Sequence, residues 1–157
     1  MTVNIITIGK LKEEYFREAS AEYEKRLSAY CKLKITELVP VKLSANPSVS
    51  EVKTALEKEA ELINAKTPKS FRVALCSEGE KFGSEGFGMK IARITQTDSE
   101  ISFIIGSSEG LSEKIKASAN MRLSLSDMTF PHRLARIMLL EQLYRAFTIQ
   151  NNQKYHK

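Results

Sequence analysis

Cysteine is scarce in this chain, and no long hydrophobic run occurs along its 157 residues. The two cysteines, Cys31 and Cys76, fit no metal-ligand spacing, so we expect reduced, packed side chains rather than a disulfide or a metal site. No apolar run approaches the roughly 20 residues that a membrane-spanning helix needs. The first ten residues lack the basic region and cleavage site of a secretory signal. These absences predict a cytoplasmic protein without a metal or a membrane partner.

Several common ligand-binding motifs are also missing. The chain contains neither the G-x-G-x-x-G spacing of dinucleotide folds nor a Gly-Lys-Ser/Thr phosphate loop. Histidines and carboxylates do not cluster with metal-ligand spacing. These observations argue against the commonest nucleotide and metal sites.

Hydrophobic residues make up 42% of the chain and charged residues 27%, which is typical of a globular domain. Strand-like and helix-like patterns alternate five times, which predicts an α/β domain with a mostly parallel sheet and helices on both faces. We expect one domain over residues 1–157. The predicted strands are 3–8, 33–39, 71–76, 101–105 and 121–125, and the predicted helices are 13–30, 48–65, one from about 84, 112–119 and 131–150.

The last third of the chain has two unusual properties. Apolar residues surround most of the final predicted helix, which indicates burial on more than one side and hence a subunit interface. Residues 131–157 contain five basic residues and one acidic residue, most of the formal net charge of +5. Such a segment suits a polyanionic partner such as RNA, although a solvated helix face would have the same charge.

The loops after the third, fourth and fifth predicted strands begin after Leu75, Ile105 and Leu125. All three lie at the carboxyl edge of a parallel sheet, where ligands bind in folds of this class. Their small and polar residues leave backbone amides accessible to a ligand. A glycine in any one loop could simply close a turn, but three such loops together predict a site.

Residues 106–110 (GSSEG) match the G-x-S-x-G pattern of a serine hydrolase nucleophile, here Ser108. Asp127 and either His132 or His156 follow in hydrolase order. Against this function, Asp127 and His132 are only five residues apart, and no glycine-rich oxyanion segment precedes them. A serine hydrolase therefore remains an alternative hypothesis.

Seven stretches resemble one known family. They are residues 8–12 (IGKLK), 22–27 (EYEKRL), 84–86 (SEG), 104–110 (IIGSSEG), 123–132 (LSLSDMTFPH), 141–146 (EQLYRA) and 155–157 (YHK). In order and over the whole chain, they resemble the large-subunit ribosomal RNA pseudouridine N3-methyltransferases, small bacterial members of the SPOUT class. The Met-Thr-Phe-Pro-His run and the terminal Tyr-His-Lys are the most specific of these motifs.

This resemblance implies a C-terminal trefoil knot, a homodimer and S-adenosylmethionine as methyl donor. It also implies a substrate, the N3 atom of a pseudouridine in a 23S rRNA hairpin loop, on the assembled ribosome. The family usually has a second glycine where this chain has Ser107. The implied donor-binding residues are Leu75, Gly106, Leu125, Ser126, Asp127, Met128, Thr129 and Phe130.

Four residues are candidates for contacting the RNA or moving its proton. His132 could orient the substrate or accept the N3 proton, or it could only cap or pack at the start of the last helix. Arg136 could bind a phosphate or stabilise the substrate anion, or be a solvated or interface arginine. The resemblance implies that the tail with Tyr155 and His156 folds over an active site, where Tyr155 could stack on a base. A third hypothesis is a ribosome-binding module without catalysis.

Overall fold

The computed structural model describes residues 1–155 and has a central sheet of five strands. His156 and Lys157 lie outside the described residues, so the prediction for His156 has no structural counterpart here. The strands are β1 (Thr2–Ile8), β2 (Lys32–Leu38), β3 (Phe71–Glu80), β4 (Glu100–Ile105) and β5 (Met121–Leu123). The helices are α1 (Glu14–Leu27), α2 (Val49–Lys66), α3 (Ser84–Thr97), α4 (Glu113–Ser118) and α5 (His132–Gln150).

Local sequence signals explain where several helices begin. The Ser48 hydroxyl accepts the Glu51 amide at 3.1 Å and caps α2, and Ser112 caps α4 through the Ile115 amide at 3.3 Å. Hydroxyl side chains at this position satisfy amides that have no partner within the helix. The last helix was predicted to begin at Pro131, but in the structure Pro131 is the cap residue and α5 begins at His132.

The strand order is β2-β1-β4-β3-β5, and every neighbouring pair is parallel. The predicted α/β class and parallel sheet are therefore confirmed. The trefoil knot implied by the resemblance stays a prediction.

Helices cover both faces of the sheet. One apolar cluster unites the sheet with α1, α3 and α5, and a second unites it with α2 and α4. β4 shows this division, because Phe103 belongs to the first cluster and Ile104 to the second. Alternate side chains of a strand point to opposite faces, so a strand in the middle of such a sheet is apolar on both.

The largest departure from the predicted elements is the length of β3. The strand was expected to end at Cys76, but it continues to Glu80, and both Leu75 and Glu80 pair with Leu123 of β5. The chain bulges between them and crosses the end of β5. A Cβ atom on Gly79 would lie 2.5 Å from the Leu123 carbonyl carbon, so only glycine allows this approach. Local propensity could not predict a pairing that depends on β5.

We expect Gly79→Ala to lower the free energy of unfolding by about 1–3 kcal/mol, because the added methyl group would displace the backbone of β5. Gly83→Ala is the matched control, since a Cβ atom there meets no atom within 4 Å. The control should cost less than about 1 kcal/mol, the usual limit for such a change at a helix cap. Urea denaturation measures both; equal losses would contradict the proposed close contact.

Candidate active site

Two of the loops chosen from the sequence follow β4 and β5, but the loop expected after Leu75 is wrong, because Leu75 lies within β3. The three strands are neighbours in the sheet, in the order β4-β3-β5. The chain leaves β3 for α3 on one face and leaves β4 for α4 on the opposite face. Adjacent connections that diverge in this way open a crevice beyond the carboxyl ends of their strands. Leu75 is half-buried within β3, and Gly106 is buried directly after β4.

The turn after β4 is closed by contacts between its own backbone groups. The Gly110 amide donates to the Ser107 carbonyl at 2.9 Å. A Cβ atom on Gly106 would lie 2.2 Å from the Gly110 carbonyl oxygen, and Gly110 itself has φ +84°. Both glycines are therefore required by the shape of the turn. Ser107, the position that departs from the family pattern, is half-buried and donates its hydroxyl to Glu59 at 3.1 Å.

The loop between β5 and α5 presents backbone donors. The Ser124 hydroxyl donates to the Ser126 carbonyl at 2.9 Å, and the Ser126 hydroxyl accepts the Met128 amide at 3.0 Å. Within residues 1–155, the amides of Leu125, Asp127 and Thr129 donate to no protein acceptor. These groups fit a ligand such as an adenosyl group, which is recognised by hydrogen bonds and apolar contact.

Two further features shape this loop. Lys81, just after β3, forms an ion pair with Asp127. Met128 and Thr129 are exposed, and 75% of the Met128 surface is accessible. The Asp127 side chain thus links the loop between β5 and α5 to Lys81 at the end of β3. Both partners are substantially exposed, so the pair contributes little to stability.

A mainly apolar cleft of about 440 Å³ lies beside the loop. This size is within the range of small-molecule sites. It is lined by α1, the start of α3, the end of β5 and the middle of α5, with Tyr23, Phe82, Phe87, Leu125, Ile137 and Glu141 among its residues.

His132 begins α5 and lies over the end of β1. Its Nε2 atom is 3.7 Å from the position that a Cβ atom on Gly9 would take, and β1 is the neighbour of β4. Burial lowers the pKa of His132, the positive charge of Arg133 lowers it further, and Glu13 opposes both. The imidazole is therefore neutral at pH 7 and able to accept a proton.

Arg136 is almost fully buried and donates to Glu37 of β2 at 2.8 Å. Arg133, one turn earlier, pairs with Glu13 at 2.7 Å. The Nε atoms of both arginines are buried without a partner among the described residues. Of the interpretations open for Arg136, a solvated arginine is excluded by this burial, and a contact with substrate stays a prediction.

Tyr155 is ordered against α5 of its own chain. Its hydroxyl donates to Glu141 at 3.0 Å, and its ring contacts Tyr144 edge-on with centroids 4.7 Å apart. Arg145 pairs with Glu141 at 2.6 Å and lies 4.8 Å from the centre of the Tyr155 ring. Glu141 lines the cleft, so its contact with Tyr155 places this part of the tail at the rim of the cleft.

Glu141 is thus a half-buried carboxylate paired with Arg145. Burial and contact with Glu141 raise the pKa of Tyr23 to about 12, and the same two causes raise the pKa of Tyr155. Both phenols stay protonated at neutral pH, and the Tyr155 hydroxyl donates a hydrogen bond to the carboxylate.

The serine hydrolase hypothesis receives no support from the geometry. Ser108 is exposed, and no hydrogen bond among the described residues joins it to His132 or Asp127. Asp127 is paired with Lys81 instead of orienting a histidine. A catalytic triad requires a base within hydrogen-bond reach of the nucleophile and a third group that orients the base.

Two negative findings concern the part of the chain that the structure describes. No helix between residues 1 and 155 is long and apolar enough to cross a membrane. No group of three or more histidine, cysteine or acidic side chains in that range could hold a metal ion.

The parallel sheet defines an α/β protein of the class in which ligand sites lie at the carboxyl edge. Comparison with known families makes this more specific: the model of a family described as "Predicted SPOUT methyltransferase" matches residues 1–156. The chain therefore belongs to the SPOUT methyltransferase family, as the sequence motifs predicted.

Several curated relatives match over their whole length and the whole of this chain. Proteins named "Ribosomal RNA large subunit methyltransferase H" are 44% identical in Leuconostoc mesenteroides, 46% in Streptococcus thermophilus and 47% in Clostridium botulinum.

Solved structures show the same fold at low sequence identity. A protein from Haemophilus influenzae described as a "probable methylase family protein" has a TM-score of 0.54 and 15% identity, with 99% of this chain and 70% of that chain covered. A protein from Legionella pneumophila, solved "in complex with the bound cofactor SAM", has a TM-score of 0.50 and 12% identity, with 93% of this chain and 66% of that chain covered.

Some residues that shape the site were not singled out from the sequence. Glu59 and Glu37 hold Ser107 and Arg136, and Tyr23 lines the cleft. Glu59 had a detectable signal, because it interrupts the apolar face of α2 between Ala55 and Ile63. Glu37, the partner of Arg136, had no detectable sequence signal, because β2 and α5 meet only in the tertiary structure.

We expect His132 to titrate below the ordinary imidazole pKa of 6.5. The unfolded chain then binds more protons than the folded chain just below pH 6.5. The stability that the neutral imidazole contributes is present above that pH and is lost as the pH falls toward the folded pKa.

NMR titration of the imidazole resonances measures this pKa, with His132 assigned by the signal missing from His132→Asn. A midpoint at or above 6.5 would refute the buried, neutral imidazole.

Proposed function

We propose that this protein is an S-adenosylmethionine-dependent methyltransferase that modifies large-subunit ribosomal RNA at the N3 atom of a pseudouridine. The observation that carries the proposal is full-length similarity, at 44–47% identity, to proteins named as large-subunit rRNA methyltransferases. The sheet topology supports it, because the implied donor residues lie within β3 or follow β4 and β5, which are adjacent strands.

The donor-binding residues proposed are Leu75 in β3, Gly106 after β4, and Leu125, Ser126, Asp127, Met128, Thr129 and Phe130 after β5. S-adenosylmethionine, when bound, supplies a methyl group already activated by a sulfonium. Leu75 and Gly106 would flank the adenosyl group, and the unpaired amides of the loop at residues 125–130 would bind it together with the side chains there. In such an in-line displacement the protein acts mainly by positioning the two reactants.

The acceptor N3 carries a weakly acidic proton that must leave as the new N–C bond forms. We assign the proton to the neutral imidazole of His132, which lies at the end of β1 beside the strand that carries Gly106. General-base catalysis needs an unprotonated group at the working pH, and the lowered pKa of His132 provides it.

Arg136 and the tail would act on the RNA. Arg136 retains N–H groups beyond the one donated to Glu37 and would stabilise negative charge on the pyrimidine ring. Tyr155 lies at the rim of the cleft, where its ring could stack on a base. His156 is proposed to act with Tyr155 on family resemblance alone.

The partner, the assembly and the location follow from this function. The excess of basic residues between 131 and 157 suits a polyanionic RNA, and the assembled ribosome is the proposed substrate. Half-buried apolar residues of α5, such as Ile137 and Met138, would be covered in a homodimer. Ribosomes as substrate imply a cytoplasmic location.

The direct test has two arms. Calorimetric titration with S-adenosylmethionine should show saturable binding, and purified ribosomes lacking the modification should gain one methyl group per large subunit when donor and enzyme are added. Mass spectrometry of rRNA digests identifies the methylated nucleoside. No heat at millimolar donor would contradict the proposal, and binding without transfer would favour a non-catalytic ribosome-binding module.

Deleting residues 155–157 should abolish methyl transfer while changing donor affinity by less than about threefold, since Tyr155 contacts α5 and not the donor loops. Tyr155→Phe is the matched control: it keeps the ring for stacking, at about 1–3 kcal/mol per base, and should retain most activity. Radiolabelled methyl incorporation and calorimetry measure the two effects. Full activity of the truncated chain would exclude a role for the tail.

A further inference from the structure

Glu59 is a buried carboxylate without a cationic partner. It lies in the middle of α2 with 4% of its surface accessible, on the same face as Ala55 and Ile63. No ion pair within the described residues includes it. Burial raises its pKa, which the Val41 amide and the Ser107 hydroxyl oppose and the nearby Glu109 reinforces. Such a group is costly to bury and is retained only with good hydrogen-bond partners.

Its two oxygens bind two different loops. Oε2 accepts the Val41 amide at 3.2 Å, in the segment after β2, and Oε1 accepts the Ser107 hydroxyl at 3.1 Å, in the turn after β4. Both loops lie at the carboxyl edge of the sheet. The Glu59 carboxylate on α2 therefore connects the segment after β2 and the turn after β4 to this helix.

Few other polar contacts join the turn at residues 106–110 to the rest of the described chain. Ser108, Glu109 and Gly110 are exposed, and the Ser107 hydroxyl makes the only side-chain hydrogen bond from residues 106–110 to the rest of the described chain. Gly106, the proposed donor contact, is the neighbour of Ser107. A change at Ser107 therefore acts directly on the backbone proposed to bind the donor.

We propose that Glu59 is a positioning residue for the methyl-donor site, acting through the Ser107 hydroxyl to hold the Gly106–Gly110 turn in its binding conformation. The inference rests on the proposed function, since it requires that this turn contacts S-adenosylmethionine. Glu59 itself does not touch the donor. A turn fixed before binding loses less conformational freedom when the ligand arrives, so the hydrogen bond should strengthen donor affinity.

The test compares donor affinity with stability in a double-mutant cycle. Ser107→Ala should raise the Kd of S-adenosylmethionine about fivefold, the usual effect of one net hydrogen bond. Glu59→Ala, which also releases Val41, should raise it by about tenfold or more. The double variant should bind no more weakly than Glu59→Ala, because the two residues act through one contact. Calorimetry gives the Kd, and urea denaturation gives the stability.

Two further variants separate positioning from simple stabilisation. Ser102 is fully buried near the other end of β4 and bonds to Asn4 at 3.2 Å and Ser70 at 2.7 Å. Ser102→Ala should therefore lower stability but keep the Kd within about twofold. Glu59→Gln retains an acceptor for Val41 and can donate its amide to Ser107, so it should restore the Kd to within about threefold of the unsubstituted protein.

The inference is overturned if Ser107→Ala and Glu59→Ala each keep the Kd within twofold while losing stability, or if their effects on affinity add. Should Glu59→Ala fail to fold, Ser107→Ala and Glu59→Gln still decide between these outcomes. Absence of donor binding by the unsubstituted protein would instead refute the proposed function. Normal binding with unaffected variants would refute the positioning role alone.

Discussion

Close contact between backbone segments at the carboxyl edge of the sheet is the constraint on which the rest of the structure depends. The extension of β3 crosses β5 where Gly79 meets Leu123, and Gly106 meets the Gly110 carbonyl in the turn after β4. A side chain at either glycine would force these segments apart. The crossing places Phe82 and the start of α3 at the cleft, and the tight turn keeps Gly106 at its position beside β3. The shape of the crevice is therefore set by backbone packing.

Charged side chains organise the surroundings of this edge. Glu59, Glu37 and Glu141 each bind a group on a different element: Ser107 in the β4 turn, Arg136 on α5 and Tyr155 in the tail. Two of these partners, Arg136 and Tyr155, are candidates for contacting RNA. Their carboxylate partners therefore orient the groups that would contact the substrate. Hydrogen bonds between such carboxylates and groups on other elements favour one arrangement over its alternatives.

Much of the fold could be predicted from the sequence because its elements have strong local signals. Apolar β-branched runs such as residues 101–105 identified the strands, and Ser48 marked the start of α2 correctly. The extension of β3 was missed because residues 77–80 contain serine, glutamate and glycine, which favour a loop in isolation. Their strand conformation depends on pairing of Glu80 with Leu123, which lies more than forty residues away. The ion pair of Glu37 could not be predicted for the same reason, because its partner Arg136 lies on the distant helix α5.

The sequence by itself determined the alternating α/β pattern and the loops after β4 and β5, and its motifs indicated the SPOUT methyltransferase family, because all of these depend on residue type and spacing along the chain. Only the tertiary structure decided that β4, β3 and β5 are neighbours and that Glu59 reaches Ser107. It also decided that Asp127 pairs with Lys81 instead of a histidine, which removed the support for a hydrolase. Contacts of this kind join segments that are distant along the chain, and they exist only once burial of the apolar core has packed the sheet and helices together.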